Sequence, residues 1–234
     1  MRQGAVGAVR LVEHGGRRLV EKRLSDPARH HNEVRALRGL VGSGLPVPEV
    51  VEERPGVILM TALPGARLDD ADADADVRIA DLRASAPLLR ALHRLEPPDD
   101  LLPAPDDAAI IERYRAAEAP RLPLLIPPSS GSVFCHGDWT DGNLLARHGR
   151  ISGIVDWEAA HRGDPLRELA RAAWGAARKD PRSERALIDG YGADPARVRA
   201  WYPVHAAELW LWFAEAGPPE YLAALTADLE RWSA

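Results

Sequence analysis

The chain has 234 residues, 46% of them hydrophobic and 28% charged, with a formal net charge of -5. That length and composition can bury a sizeable core, as one large domain or two small lobes, and the negative balance argues against nucleic acid or an anionic membrane as the main partner. A lone cysteine, Cys135, excludes an internal disulfide framework and a cysteine-rich zinc site. Its apolar neighbours Val133 and Phe134 mark it as a buried structural thiol. No apolar run approaches a membrane span, and the start MRQGAVGAVRL lacks a secretory pattern, so the cytoplasm is the expected compartment. Of 30 basic residues only Lys22 and Lys179 are lysines, so each retained lysine calls for an explanation.

In chain order, residues 5 to 60 hold short β-type runs. VGAVRLVE and RRLVEKRL are joined by HGG, which reads as a hairpin turn, and PEVVEERPGVILM is a further run. One helix interrupts them: Asp26 followed by Pro27 is a cap and first-turn pair, and Val34, Leu37, Leu40 and Val41 recur at helical spacing until GSGLP. Within RRLVEKRL, Val20, Lys22 and Leu24 share a face, which puts the lysine beside two apolar groups. A lone ammonium there is costly, and Glu33, on the apolar stripe of the helix, is its expected partner. From residue 66 the chain is mostly helical, with helices expected at 77–95, 106–119, 164–178, 182–191, 195–216 and 218–232. DDADADAD, from residue 69, reads as a solvated linker ending in a helix cap.

Residues 133 to 156 return to β character. VFC is expected as a strand, HGDWTDG as a loop, and NLLA as a strand that turns at RHGR and returns as ISGIVD. That hairpin brings Asn143 and Asp156 side by side, with Asp138 on the loop before them. Three hard oxygen donors suit Mg²⁺ better than Zn²⁺, and an Asn/Asp pair implies bound phosphate oxygens rather than a closed protein cage. A metal-dependent hydrolase built on His136, Asp138 and Asp141 is a separate reading, weakened by the lack of further histidines nearby.

HGDWTDGNLL followed by IVDWEAAHRGDPLRELA resembles the aminoglycoside phosphotransferase family and its choline, homoserine and fructosamine kinase relatives. The resemblance implies an α+β, two-lobed protein-kinase-like fold: a small antiparallel N-terminal lobe with one helix (1–62), a hinge near 61–65, and a larger, mainly helical C-terminal lobe (63–234). It implies that Asp138 orients the substrate hydroxyl and takes its proton, that Asn143 and Asp156 hold Mg²⁺, and that His136 braces the loop. Lys22 and Glu33 resemble the ion pair that positions nucleotide phosphates. GAVGAV resembles the last two glycines, Gly4 and Gly7, of a phosphate loop. VILM then TALPG resembles the strand entering the hinge, with Val20 and Met60 at the adenine pocket and the Thr61 carbonyl and Leu63 amide as adenine partners. LLRALHRL resembles the helix before the catalytic segment. Only three residues precede Gly4, so the first strand of the small lobe is expected to be nearly absent. GDPLRELA has Arg167 and Glu168 where the family often shows a small residue and Asp, which reads as a structural variation.

Seven residues between Asp156 and Asp164 leave no room for a protein kinase's activation loop, so the acceptor is expected to be a small molecule. An ATP-dependent phosphotransferase follows, with GTP compatible with backbone hinge contacts. The acceptor is expected to be an aminoglycoside or other antibiotic, an amino sugar or an amino alcohol. A catalytically weak nucleotide-binding pseudokinase is the alternative. Asp141 and Glu158 are candidate acceptor contacts or solvated loop acids. On the 195–216 helix, Trp201, His205, Glu208, Trp212 and Glu215 align on one face; Glu208 and Trp212 would hold a cationic amine, or the face is an ordinary amphipathic one.

Overall fold

A computed structural model describes residues 7–70 and 74–233. Strands β1 (Gly7–His14) and β2 (Arg17–Leu24) pair antiparallel from Gly7↔Leu24 to His14↔Arg17. Gly15 and Gly16, at φ 58° and 73°, supply the left-handed backbone that a tight hairpin demands. The Asp26 carboxylate caps α1 (Pro27–Gly39) by accepting from the Ala28 and Arg29 amides. Val34, Leu37 and Leu40 are buried as expected, whereas Val41 is 69% exposed because the helix has already ended.

PEVVEERPGVILM is not one strand. Pro55 and Gly56 turn it into a hairpin of β3 (Val50–Arg54) and β4 (Val57–Thr61), and the sheet order is β1-β2-β4-β3. Gly4 lies outside the described residues.

Beyond this sheet the molecule is mainly helical. A two-residue strand, β5 (Ala66–Arg67), leads to α2 (Ala75–Leu92), capped by Asp74, and then α3 (Asp107–Ala116). Strand β6 (Val133–Cys135) precedes the HGDWTDGN loop, whose last three residues form a single 3-10 turn. The expected hairpin follows as β7 (Leu144–Arg147) and β8 (Arg150–Ile154). Two pairings were not foreseen: β5 adds to β7, and β6 pairs with β9 (His161–Gly163). Helices α4 (Pro165–Ala177), α5 (Arg182–Tyr191), α6 (Pro195–Arg199), α7 (Tyr202–Ala216) and α8 (Pro219–Ser233) complete the chain. The expected 195–216 helix is therefore two helices. Pro203 in the first turn of α7 starts a new helix, and Trp201 at the break is buried. Among the described residues no helix is long and apolar enough to cross a membrane.

Two buried polar side chains place the loop relative to the sheet. Asn32, on α1, donates to the Glu158 and Ala160 carbonyls at 3.0 and 2.8 Å and accepts from the Leu102 amide at 2.7 Å. It thus ties the sheet's helix to two segments of the helical region. Glu168, on α4, accepts from the His136 amide at 3.1 Å and the Gly137 amide at 2.6 Å, and pairs with His93 Nε2 at 2.8 Å. Burial pushes this carboxyl up, but the hydrogen bond and charge of His93 outweigh it and hold it at about 2.

Asn32→Ala strands three buried backbone groups, at about 1 kcal/mol each. Thermal unfolding should fall by roughly 10 °C for a chain of this size, and an unchanged melting temperature would remove Asn32 from its tying role. For Glu168, a folded value below the unfolded one near 4.5 means stability present above pH 4.5 and lost as pH falls toward 2, about 3 kcal/mol in all. The stability gap between wild type and Glu168→Gln, followed by denaturant melts, should therefore narrow across that acid window.

Candidate active site

Lys22 is the centre of the site. Its ammonium lies 2.6 Å from Glu33 Oε2, 2.6 Å from Asp156 Oδ1 and 2.9 Å from Glu158 Oε2. Burial alone would drive Lys22 toward its neutral form; the three carboxylates outweigh it and raise its pKa instead. Glu33, the most buried of the three, is pushed up to about 7 by burial, with Asp156 and Glu158 adding to the push against the pull of Lys22. The Glu33, Asp156 and Glu158 oxygens lie close enough to resemble a cation site, and the Lys22 ammonium occupies that role.

The loop is held around His136, which is fully buried. Its Nε2 faces the Val155 carbonyl at 3.0 Å and its Nδ1 accepts from the Asp138 amide at 3.2 Å. A donor on Nε2 and an acceptor on Nδ1 require the neutral ring, and burial lowers its pKa accordingly. With both nitrogens committed, His136 is neither a base nor a metal ligand, which disposes of the hydrolase reading. Gly137, at φ 83°, is obligatory: a Cβ there would meet the Ala159 carbonyl oxygen at 2.1 Å.

Asp138 emerges from this support with both carboxylate oxygens contacted. Oδ1 accepts from Arg171 at 2.9 Å and Oδ2 from Asn143 Nδ2 at 2.9 Å. The Asn143 amide also donates to the Asp138 carbonyl at 3.0 Å, so the Asn143 Oδ1 is the group left to face a ligand. Asp156 follows β8 with φ 70°, a left-handed conformation that Asp tolerates better than most residues. The Val155 amide donates to the Asn143 carbonyl at 3.0 Å, holding the two positions side by side. An amide oxygen and a carboxylate from adjacent strands are hard donors that fit Mg²⁺ alongside phosphate oxygens.

A cleft of about 680 Å³ opens between the four-stranded sheet and the β7–β8 hairpin. Val20 and Met60 wall it from the sheet, Thr61 and Leu63 lie at its back, and Lys22, Glu33, Asn143 and Asp156 close its inner end. Val9, Leu11, Leu145 and Val155 also line it and were not anticipated; alternation along β1 was the available signal for the first two. Two further cavities meet at Asp138. One, of about 530 Å³, is lined by Glu158, Glu208 and Trp212; the other, of about 380 Å³, by Asp141, Arg67, Asp69 and Lys179. Trp212 is 45% exposed toward its cavity.

The four candidate acceptor contacts are thus divided between two cavities, and the three acids among them are already paired. Asp141 binds Lys179 through both oxygens at 2.7 Å. Glu158 binds Lys22 and Arg29, and Glu208 binds Arg167 at 3.1 Å. Burial pushes the Glu208 carboxyl up, but the His205 hydrogen bond and the charges of Arg167 and Arg171 hold it at about 2. Sequence reasoning missed Arg171, Arg29, Asn32 and the anchoring use of Glu168.

A family model described as the phosphotransferase enzyme family matches residues 2–201. No curated protein matches the sequence. Among solved structures, the chain is similar to macrolide 2'-phosphotransferase type I, with 20% identity and a TM-score of 0.72, covering 97% of this chain and 88% of that one. It is similar to aminoglycoside phosphotransferase APH(4)-Ia, with 17% identity and a TM-score of 0.72 over 100% of this chain and 93% of that one. A thermostable mutant of that enzyme, solved in ternary complex with AMP-PNP and hygromycin B, matches at 17% identity and a TM-score of 0.71 over 99% and 90% of the two chains. The fold is accordingly the α+β, two-lobed kinase-like one, and the chain belongs to the phosphotransferase enzyme family, kinase-type enzymes acting on hydroxyl groups.

Proposed function

We propose that this chain is an ATP-dependent, Mg²⁺-requiring phosphotransferase that moves the γ-phosphoryl group onto a hydroxyl of a small molecule in the cytoplasm, without nucleic acid as partner. The observation that carries this reading is the convergence of Lys22, Asn143 and Asp156 at the inner end of one cleft, with Asp138 bound to Asn143 where the two acceptor-side cavities meet it. The AMP-PNP complex of a similarly folded enzyme supports a nucleotide in that cleft, and the macrolide and aminoglycoside enzymes support an antibiotic-like acceptor. The lobe boundary falls at 62/63, where β4 has ended and Ala62 and Leu63 line the back of the cleft.

In this reading the purine lies between Val20 and Met60 on one side and Leu145 on the other, with backbone at Thr61 and Leu63 reading its edge. Backbone contacts of this kind serve ATP or GTP. Lys22, held by Glu33, exchanges its contacts with Asp156 and Glu158 for phosphate oxygens. Asn143 and Asp156 would hold the magnesium, which when bound neutralises phosphate charge. Asp138 orients the acceptor hydroxyl and takes its proton as the new P–O bond forms and the bond to the β-phosphate oxygen breaks. Its contacts with Asn143 and Arg171 fix the carboxylate before substrate arrives, so positioning supplies much of the rate.

Asp138→Asn should lower turnover by about a hundred-fold or more while leaving nucleotide affinity nearly unchanged. Lys22→Ala should weaken productive ATP use by at least roughly ten-fold, the effect of losing about 1.4 kcal/mol. Nucleotide titration and initial rates over a panel of aminoglycosides, macrolides, amino alcohols and ketoamines test both; undiminished turnover in Asp138→Asn would overturn the assignment.

A further inference from the structure

The acids around Asp138 differ in what they are free to do. Apart from Asp138 and Asp156, which the proposed chemistry uses, the carboxylates lining the two acceptor-side cavities are Asp69, Asp141, Glu158 and Glu208. Each is matched by a cation of this chain. Asp69 takes a two-pronged contact from Arg67, at 2.8 Å for both bonds. Asp141 takes Lys179 on both oxygens, Glu158 takes Arg29, a contact that stays when phosphate draws Lys22 away, and Glu208 takes Arg167 with Arg171 at 3.8 Å.

The cations on these walls are committed in the same way: Lys179, just beyond α4, holds Asp141, and Arg171 holds Asp138. A guest carrying several ammonium groups would have to break these pairs or enter beside the cations that hold them, and both routes count against it. The remaining walls are apolar or weakly polar: Leu102, Pro103 and Trp212 in the larger cavity, Leu82, Ala176 and Leu187 in the smaller.

We infer that the acceptor is a hydroxylated molecule with an apolar face and no more than one positive charge, and that a polycationic aminoglycoside is excluded by the internal pairing of Asp69, Asp141, Glu158 and Glu208. The inference rests on the phosphotransferase reading and narrows it. Specificity here is set by what the walls refuse, since the acids that would recognise amines are present but spent.

Binding, measured by calorimetry with a non-hydrolysable ATP analogue present, reads the cavities without requiring turnover. Wild type should bind a tetra-amino aminoglycoside at least a hundred-fold more weakly than a macrolide carrying a single tertiary amine. Lys179→Ala frees Asp141 and Arg67→Ala frees Asp69; each should tighten aminoglycoside binding about ten-fold, and added salt should reverse the gain. The two variants act on different acids, so a folding defect in one leaves the other readable. Wild-type aminoglycoside binding as tight as macrolide binding, or no gain in either folded variant, overturns the inference. Failure of Mg-ATP itself to bind would strike the phosphotransferase reading instead, and that titration is made separately.

Discussion

The ammonium of Lys22 is largely buried, on a strand whose neighbouring inward side chains are apolar. It stays charged only because carboxylates reach it from three directions: Glu33 from α1, Asp156 from the end of β8, and Glu158 from the segment that follows. Removing Lys22 would leave three carboxylates facing one another without their cation, which costs far more than losing a surface pair. The sheet, its helix and the β7–β8 hairpin are therefore fixed relative to one another by one cation. Asn32 works beside it without charge, giving the same helix a second tether through hydrogen bonds between its carboxamide and backbone groups. Together they fix the floor of the cleft before any ligand arrives.

The loop bearing Asp138 has its own support, and that support is layered. Glu168 gathers the His136 and Gly137 amides, His136 carries the Asp138 amide across to the Val155 carbonyl, and Val155 precedes Asp156. A carboxylate on α4 thus acts, through a neutral imidazole, on the spacing of the two acids that matter most. Close packing of the His136 ring against Trp157, with centroids 4.5 Å apart, leaves the ring no alternative orientation.

Much of this was legible in the sequence because it is local. HGG between alternating runs, Asp-Pro before a helical stripe, and Asn143 and Asp156 at the two ends of a short hairpin are each decided within twenty residues. The parts that escaped are those joined by distant chain. Glu158 meets Lys22 across 136 positions, and no periodicity announces that. Glu168 reads as an ordinary polar residue on an amphipathic helix; its meaning comes from the β6–β9 pairing, which brings His136 under it. Other misses were signalled. Pro203 restricts the residue before it and opens α7, so a continuous 195–216 helix was never favoured. Pro55-Gly56 likewise announces the turn that divides β3 from β4.

The unequal use of arginine and lysine now has a physical account. Arginine's planar fork can hold a carboxylate in a fixed, two-bond geometry, as Arg67 holds Asp69, while Arg29 and Arg167 each give one bond to Glu158 and Glu208. Lysine is a compact point charge that trades partners without needing a particular plane. On the proposed function, Lys22 would keep Glu33 and trade Asp156 and Glu158 for phosphate oxygens, a trade that a compact point charge suits better than a fork. Lys179, half exposed just beyond α4, bridges both oxygens of Asp141 with a single nitrogen, a contact that a fork of two nitrogens would have to spread.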